Sequence, residues 1–175
     1  METSQKKFVH DLVAEILALE KNKVINANQN APKPTKNYCT LRYYSHSQET
    51  PGEERISSPG VINVLTSNTV MLEIQMYANA GVDACKALNN LVNRLDAPTV
   101  TDQCRQNNIA FFDSSEVQDL TALLDGTIWE TRAAVDLTIR YSTEFADDVG
   151  YIETVQIIGK TGLLPDETIT IEGNE

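Results

Sequence analysis

The run TRAAVDLTIRY, residues 131–141, alternates without a break. Ala133, Val135, Leu137, Ile139 and Tyr141 share one parity; Arg132, Ala134, Asp136, Thr138 and Arg140 share the other. Successive side chains of a strand face opposite ways, so this run predicts a β-strand with one face in a core and one face wetter. TVMLEIQMY, residues 69–77, repeats the pattern, with Val70, Leu72, Ile74 and Met76 set against Thr69, Met71, Glu73, Gln75 and Tyr77. Two long strands of this kind point to an antiparallel sheet covered on one face.

Helices are available to cover it. Phe8, Val9, Leu12, Val13, Ile16 and Leu17 recur at three- and four-residue spacing, which predicts a helix over Ser4–Leu19 capped by Thr3 or Ser4. Val82, Cys85, Leu88, Leu91, Val92 and Leu95 form the stripe of a second helix, stopped by Asp96-Ala97-Pro98. Thr99 with Asp102, and Ser115 with Gln118, resemble capping boxes and predict two short helices, to about Arg105 and through Leu124. Val24-Ile25, Tyr38–Tyr44, Ile109–Phe112, Tyr151–Ile158 and Thr168–Ile171 read as further strands.

Other segments read as breaks. Asn26, Asn28 and Asn30 with Pro32 and Pro34 predict an ordered loop. Residues 45–60, SHSQETPGEERISSPG, read as a long polar loop or an arm that orders against a partner. Ser67-Asn68 reads as the tip of a hairpin between Val61–Leu65 and the strand from Thr69, and Thr143–Asp148 as an acidic break. The order of elements predicts an α+β fold, a mostly antiparallel sheet with helices packed on one face. Residues 1–159 read as one domain and residues 160–175 as an acidic tail.

The chain has 175 residues and a net charge of −11, which disfavours a protein built to grip nucleic acid. Cys39, Cys85 and Cys104 form no C-x-x-C pair and read as small buried residues of a reducing compartment. No signal-like or membrane-spanning run is present, so a soluble cytoplasmic protein with no membrane contact is expected. His10 and His46 have no companions at ligand or triad spacing, and G-K-T at 159–161 lacks the upstream glycine of a phosphate loop. The acids Glu49, Glu53, Glu54, Asp147 and Asp148 do not follow a calcium-loop pattern. The expectation is no enzyme, no metal and no cofactor. A pocket with converging polar groups would instead mark a small α+β enzyme or ligand-binding domain. What the residues offer is surface: Trp129 at the start of the organising strand, Tyr38, Tyr43 and Tyr44 on another, and the mixed-charge parity of Arg42, Arg132 and Arg140. On that reading Arg132→Glu leaves folding intact and perturbs assembly.

The words NQNAPKPTKNYCTLRYYS, VMLEIQMYANAGVDACKALNNLVNRL, VQDLTALLDGTIWETRAAVDLTIRYS and DDVGYIETVQI, in this order, resemble the phage neck or tail-terminator family of long-tailed phages, over roughly residues 24–158. The resemblance implies a structural virion protein, assembled in the host cytoplasm. It would form a ring of identical subunits, a hexamer, that caps the tail tube, stops its polymerisation and meets the head connector and, in contractile tails, the sheath. DNA would pass through the ring without specific binding. A head-completion or other neck adaptor ring nearer the portal is the alternative within virion assembly. The resemblance makes Asn28, Asn30, Arg42, Trp129, Arg132, Asp136 and Arg140 candidates for subunit or partner contact; it carries nothing onto residues 45–60 or the tail after Gly159, and Glu53 and Glu54 are contact candidates only through the reading of 45–60 as an arm. Glu144, Asp147 and Asp148 become candidate acidic positions that repel passing DNA.

Overall fold

The computed structural model describes residues 1–30, 32–58, 61–124, 128–150, 154–159 and 167–172. Three α-helices are present among them: α1 (Thr3–Ile16), α2 (Ala84–Leu95) and α3 (Pro98–Gln106). The strands are β1 (Val24–Asn26), β2 (Tyr38–Gln48), β3 (Glu53–Ser58), β4 (Val61–Ala78), β5 (Ile109–Ser114), β6 (Gln118–Asp119), β7 (Ala122–Leu124), β8 (Ile128–Asp148), β9 (Thr154–Gly159) and β10 (Glu167–Glu172). The class is α+β. The chain divides into two compact units, Met1–Pro51 with Thr66–Thr143, and Gly52–Leu65 with Glu144–Glu175.

In the first unit the strands lie in the order β1–β2–β4–β8–β5, with β6 and β7 also paired to β8. β2 runs antiparallel to β4, with Tyr38 opposite Tyr77 and Arg42 opposite Glu73. Contacts of Thr66 with Thr143, Met71 with Thr138 and Tyr77 with Arg132 advance in opposite senses along β4 and β8, so that pair is antiparallel too. β1 is the exception, parallel to β2. Alternation decides the layers. Val70, Leu72, Ile74 and Met76 of β4 and Val135, Leu137 and Ile139 of β8 are buried, together with Cys39 and Leu41 of β2. Val9, Leu12 and Val13 of α1, Leu88 and Leu91 of α2, and Val100 and Cys104 of α3 join them in one core. Among the described residues, helices therefore cover one face only.

Local chemistry sets the helix ends. Gln5, not Thr3 or Ser4, organises the start of α1: its side-chain oxygen accepts the Glu2 amide at 3.0 Å. Its amide nitrogen reaches the Ser142 carbonyl at 3.2 Å, so a buried polar side chain fastens α1 to the end of the core strand. α2 starts two residues later than the apolar stripe suggests, because the Asp83 carboxylate caps it by accepting the Lys86 amide at 2.8 Å. α3 has Ala97 at its N-cap and Pro98 in its first turn, where the missing N–H costs nothing; Thr99 does not cap it.

Three sequence expectations fail here. Residues 115–124 hold no helix: β6 and β7 pair with β8 instead. Ser115 N–H donates to the Asp136 carbonyl at 2.8 Å and Leu120 N–H to the Arg132 carbonyl at 2.8 Å, bonds that a helix would have kept internal. Ser67-Asn68 is no hairpin tip, because β4 continues from Val61 to Ala78. Thr66 and Thr143 hydroxyls bond at 2.7 Å and Asn68 Nδ2 donates to Thr66 Oγ1 at 3.1 Å, so polar side chains that mark turns here tie two strands together. Nor is Thr143–Asp148 a break: β8 continues through it.

β3 pairs antiparallel with the first residues of β4, Glu53 opposite Leu65 and Ile56 opposite Ile62. The segment 45–60 thus contains the end of β2 and all of β3 rather than a plain loop. β9 and β10 form an antiparallel pair, Thr154 opposite Glu172. Tyr151 and its two followers, read from sequence as the start of β9, lie outside the described residues.

Candidate functional site

The face of the first unit turned away from the helices gathers four of the candidate positions, Arg42, Arg132, Asp136 and Arg140. Three strands place an aromatic and cationic row across it. Tyr38 and Tyr77 stack with centroids 4.7 Å apart and planes 4° from parallel, and the Arg132 guanidinium lies 4.5 Å from the Tyr77 ring centre. The row follows from register, since Tyr38 and Tyr77 are directly opposed.

Beside it sits a charged residue that the core helices never see. Glu130 is 7% exposed. Its Oε2 accepts Arg132 Nη2 at 2.9 Å, and its Oε1 is 3.2 Å from Lys36 Nζ. Burial alone would push the carboxyl's pKa up; hydrogen bonds from Arg132 and Lys36 outweigh it and hold the value below the ordinary range. A carboxylate taken out of water needs such partners, and two cations supply them.

Further along, Tyr44 Oη donates to Asp136 Oδ1 at 3.0 Å. Burial first, then the Asp136 carboxylate, raises the Tyr44 pKa. Arg42 approaches Glu73 at 3.4 Å, Gln75 bonds Glu73, and Tyr77 Oη donates to Gln75 Oε1 at 2.8 Å. Arg140 grips Glu49 with two nitrogens, at 2.7 and 3.1 Å, and lies 4.6 Å from the ring centre of Phe112, which is 65% exposed. Arg140 and then Thr69, by hydrogen bonding, hold Glu49 below the usual carboxylate range.

Arg42, Arg132, Asp136 and Arg140 therefore meet on one face, each engaged within the subunit. Trp129 is not part of a core: it is 60% exposed, opposite Leu123 and next to exposed Ile128. It shares parity with Ala133 and Val135, so it extends the apolar face of β8 to where that face is uncovered. Asn28 and Asn30 are exposed after β1, and Asn28 has φ +63°, a conformation asparagine tolerates better than most residues. Glu53, Glu54, Glu144, Asp147 and Asp148 belong to the second unit and are exposed. There Glu53 pairs with Arg55 at 3.3 Å and Glu144 accepts Asn63 Nδ2 at 2.8 Å.

Sequence does not mark Lys36 or Tyr77 as contact positions; it marks Glu49 only as an acid of the 45–60 segment and Glu130 only by its place in the WETR entry to β8. Glu130 carried a signal: it shares the parity of Arg132, so the two had to meet on one face. Lys36 and Glu49 carried none, because loop geometry brings them in. Among the described residues no three His, Cys, Asp or Glu side chains are grouped to hold a metal ion, and no helix is long and apolar enough to cross a membrane.

Built this way, the face is a cross-strand polar and aromatic network, flanked at one end of β8 by an exposed apolar hairpin. Such a surface suits protein contact. No curated protein matches the chain at a significant level. The family of phage neck terminator proteins matches residues 6–162, most of its length. The chain belongs to the phage neck terminator protein family.

Proposed function

We propose that this neck component forms a closed ring of identical subunits on the end of the tail tube, stops tube growth, and offers the surface to which the head connector docks. DNA passes through the ring without being gripped. The observation that carries the reading is family membership over residues 6–162. The uncovered apolar positions Leu123, Ile128 and Trp129 support it, since a monomer gains nothing by keeping them in water. The net charge of −11 suits a conduit that does not hold phosphates. A closed ring of this kind needs head-to-tail contacts, in which two different surfaces of the subunit meet.

The test is tube assembly in vitro. Tube protein polymerised with this chain should give tubes of limited length with extra density at one end. Tubes of unchanged length with bare ends would contradict the reading; in a parallel pull-down, binding to portal protein without binding to tube protein would move the chain towards the head.

A further inference from the structure

We propose that the open edge of β2 at Tyr43 receives, by strand addition, the acidic strand Glu167–Glu172 of a second copy of this chain. The proposal rests on the ring reading and names the contact that would hold neighbours together.

The edge is open for a structural reason. β1 covers β2 only from Cys39 to Leu41. Ala27 N–H then donates to the Leu41 carbonyl at 2.7 Å, and the chain turns away through Asn28. Leu41 presents its carbonyl to that side, so Tyr43, two residues on, presents its own amide and carbonyl to the same side. Among the described residues no strand pairs with β2 there. A cavity of about 240 Å³ opens at this point, with Lys6, Asn28, Arg42 and Tyr43 in its wall.

Its chemistry calls for carboxylates. Lys6 is exposed, forms no ion pair among the described residues, and stands 5.4 Å from the Tyr43 ring centre. Arg42 has one ion pair, a long one, and its side chain is 55% exposed. The Tyr43 hydroxyl is buried without a hydrogen-bond partner among the described residues and needs an acceptor. His46 follows on the same strand, and burial together with positive charge that includes Lys6 lowers its pKa. On a chain of net charge −11 this is an unusual gathering of donors.

The chain itself contains the complement. Residues 161–175 carry four acids and no base, and the strand within them reads ETITIE, a glutamate at each end of alternating Thr and Ile. Among the described residues β10 pairs only with β9, leaving its other edge open. Strand addition would satisfy both edges while the glutamates meet the cationic wall. Duplex DNA fits less well: it has no strand edge to offer, and two or three cations are too few for a phosphate track. Donor strand and acceptor edge are different surfaces, so the contact is heterologous and can close a ring.

The test is hydrogen exchange on the full chain over a concentration range spanning assembly, read in peptides covering Tyr43 and 167–172. A synthetic peptide of residues 163–175 is added to dilute protein in parallel, as are inorganic phosphate and a DNA duplex. Expected are slowed exchange at Tyr43 on assembly, the same protection from the peptide, and binding weakened about tenfold by Lys6→Glu. A peptide carrying Glu167→Lys and Glu172→Lys should recover affinity for that variant. Assembly with unchanged exchange at Tyr43 overturns the proposal and leaves the ring standing. Protection by phosphate or DNA in place of the peptide overturns the occupant. Protection independent of protein concentration overturns the second copy. Failure to assemble at any concentration, with no peptide binding, overturns the proposal and leaves the ring to the tube-assembly test.

Discussion

Glu130 and Arg132 lie two residues apart on one strand and bond at 2.9 Å, the carboxylate buried and the guanidinium resting on Tyr77. The pair converts a face that alternation marks as wet into an ordered layer. It also changes what a charge reversal there does. Arg132→Glu removes one partner and sets a second carboxylate against a buried one. The expected cost is about 2–4 kcal/mol, somewhat below a fully buried case because Arg132 keeps some exposure. Urea denaturation measures it. An unchanged midpoint would restore the sequence expectation that Arg132 is free for assembly.

The same pair gives a pH dependence. The Glu130 pKa is lowered in the folded state. Its contribution is therefore complete above the unfolded glutamate value, about 4.3, and fades as pH falls through the lower folded value. Glu130→Gln should remove that part of the acid sensitivity. The comparison is the slope of unfolding free energy against pH for the two proteins below about pH 5. Equal slopes would mean the carboxylate is not stabilised in the fold.

Leu137 is 1% exposed in the core beneath the helices. Leu137→Ala should cost about 2–5 kcal/mol through lost burial and a residual cavity. Arg140→Ala, three residues on and on the other face, should cost far less than Leu137→Ala despite its hydrogen bond and ion pair to Glu49, because that pair is partly solvated. Denaturation midpoints for both variants check the assignment of the faces, and reversed magnitudes would invert it.

Trp129 is the chain's one tryptophan, so fluorescence reports its surroundings directly. In dilute protein its emission should be that of a solvated indole and should shift to shorter wavelength on assembly. Trp129→Ser should move the unfolding free energy by less than about 0.5 kcal/mol while weakening assembly. Emission that stays constant through assembly would exclude the hairpin from the contact.

The cysteines test burial without mutation. Cys39 is fully buried, and burial pushes its thiol pKa up to about 12; Cys104 is buried as well, whereas Cys85 is partly exposed. A thiol reagent should label Cys85 in the native protein and the other two only on unfolding. Rapid native labelling of Cys39 would contradict the core.

Strong periodicity made the core legible. The alternation in β4 and β8 and the stripe of α2 have few competing solutions, and the structure keeps them apart from Val82, which lies before α2 and is exposed. Failures cluster where local and tertiary bonding compete. Ser115-x-x-Gln118 looks like a helix start, yet Ser115 Oγ accepts the Asp136 amide at 3.0 Å and holds the segment to β8. Thr66 and Asn68 carry turn chemistry that cross-strand bonds to Thr143 absorb. Both errors needed the identity of the neighbouring strand, which no local window contains. The candidate face was half legible for the same reason. Parity placed Glu130, Arg132, Asp136 and Arg140 together, but Lys36 against Glu130, Tyr44 against Asp136 and Glu49 against Arg140 come from elsewhere in the chain.

The central claim is the ring at the tube end, and electron cryomicroscopy of the intact neck tests it most directly. The expected result is one coaxial ring of this chain between the last tube layer and the connector, with Trp129 against a neighbouring chain. Finding the chain elsewhere in the virion, or as isolated subunits that do not close around the DNA path, would contradict the account.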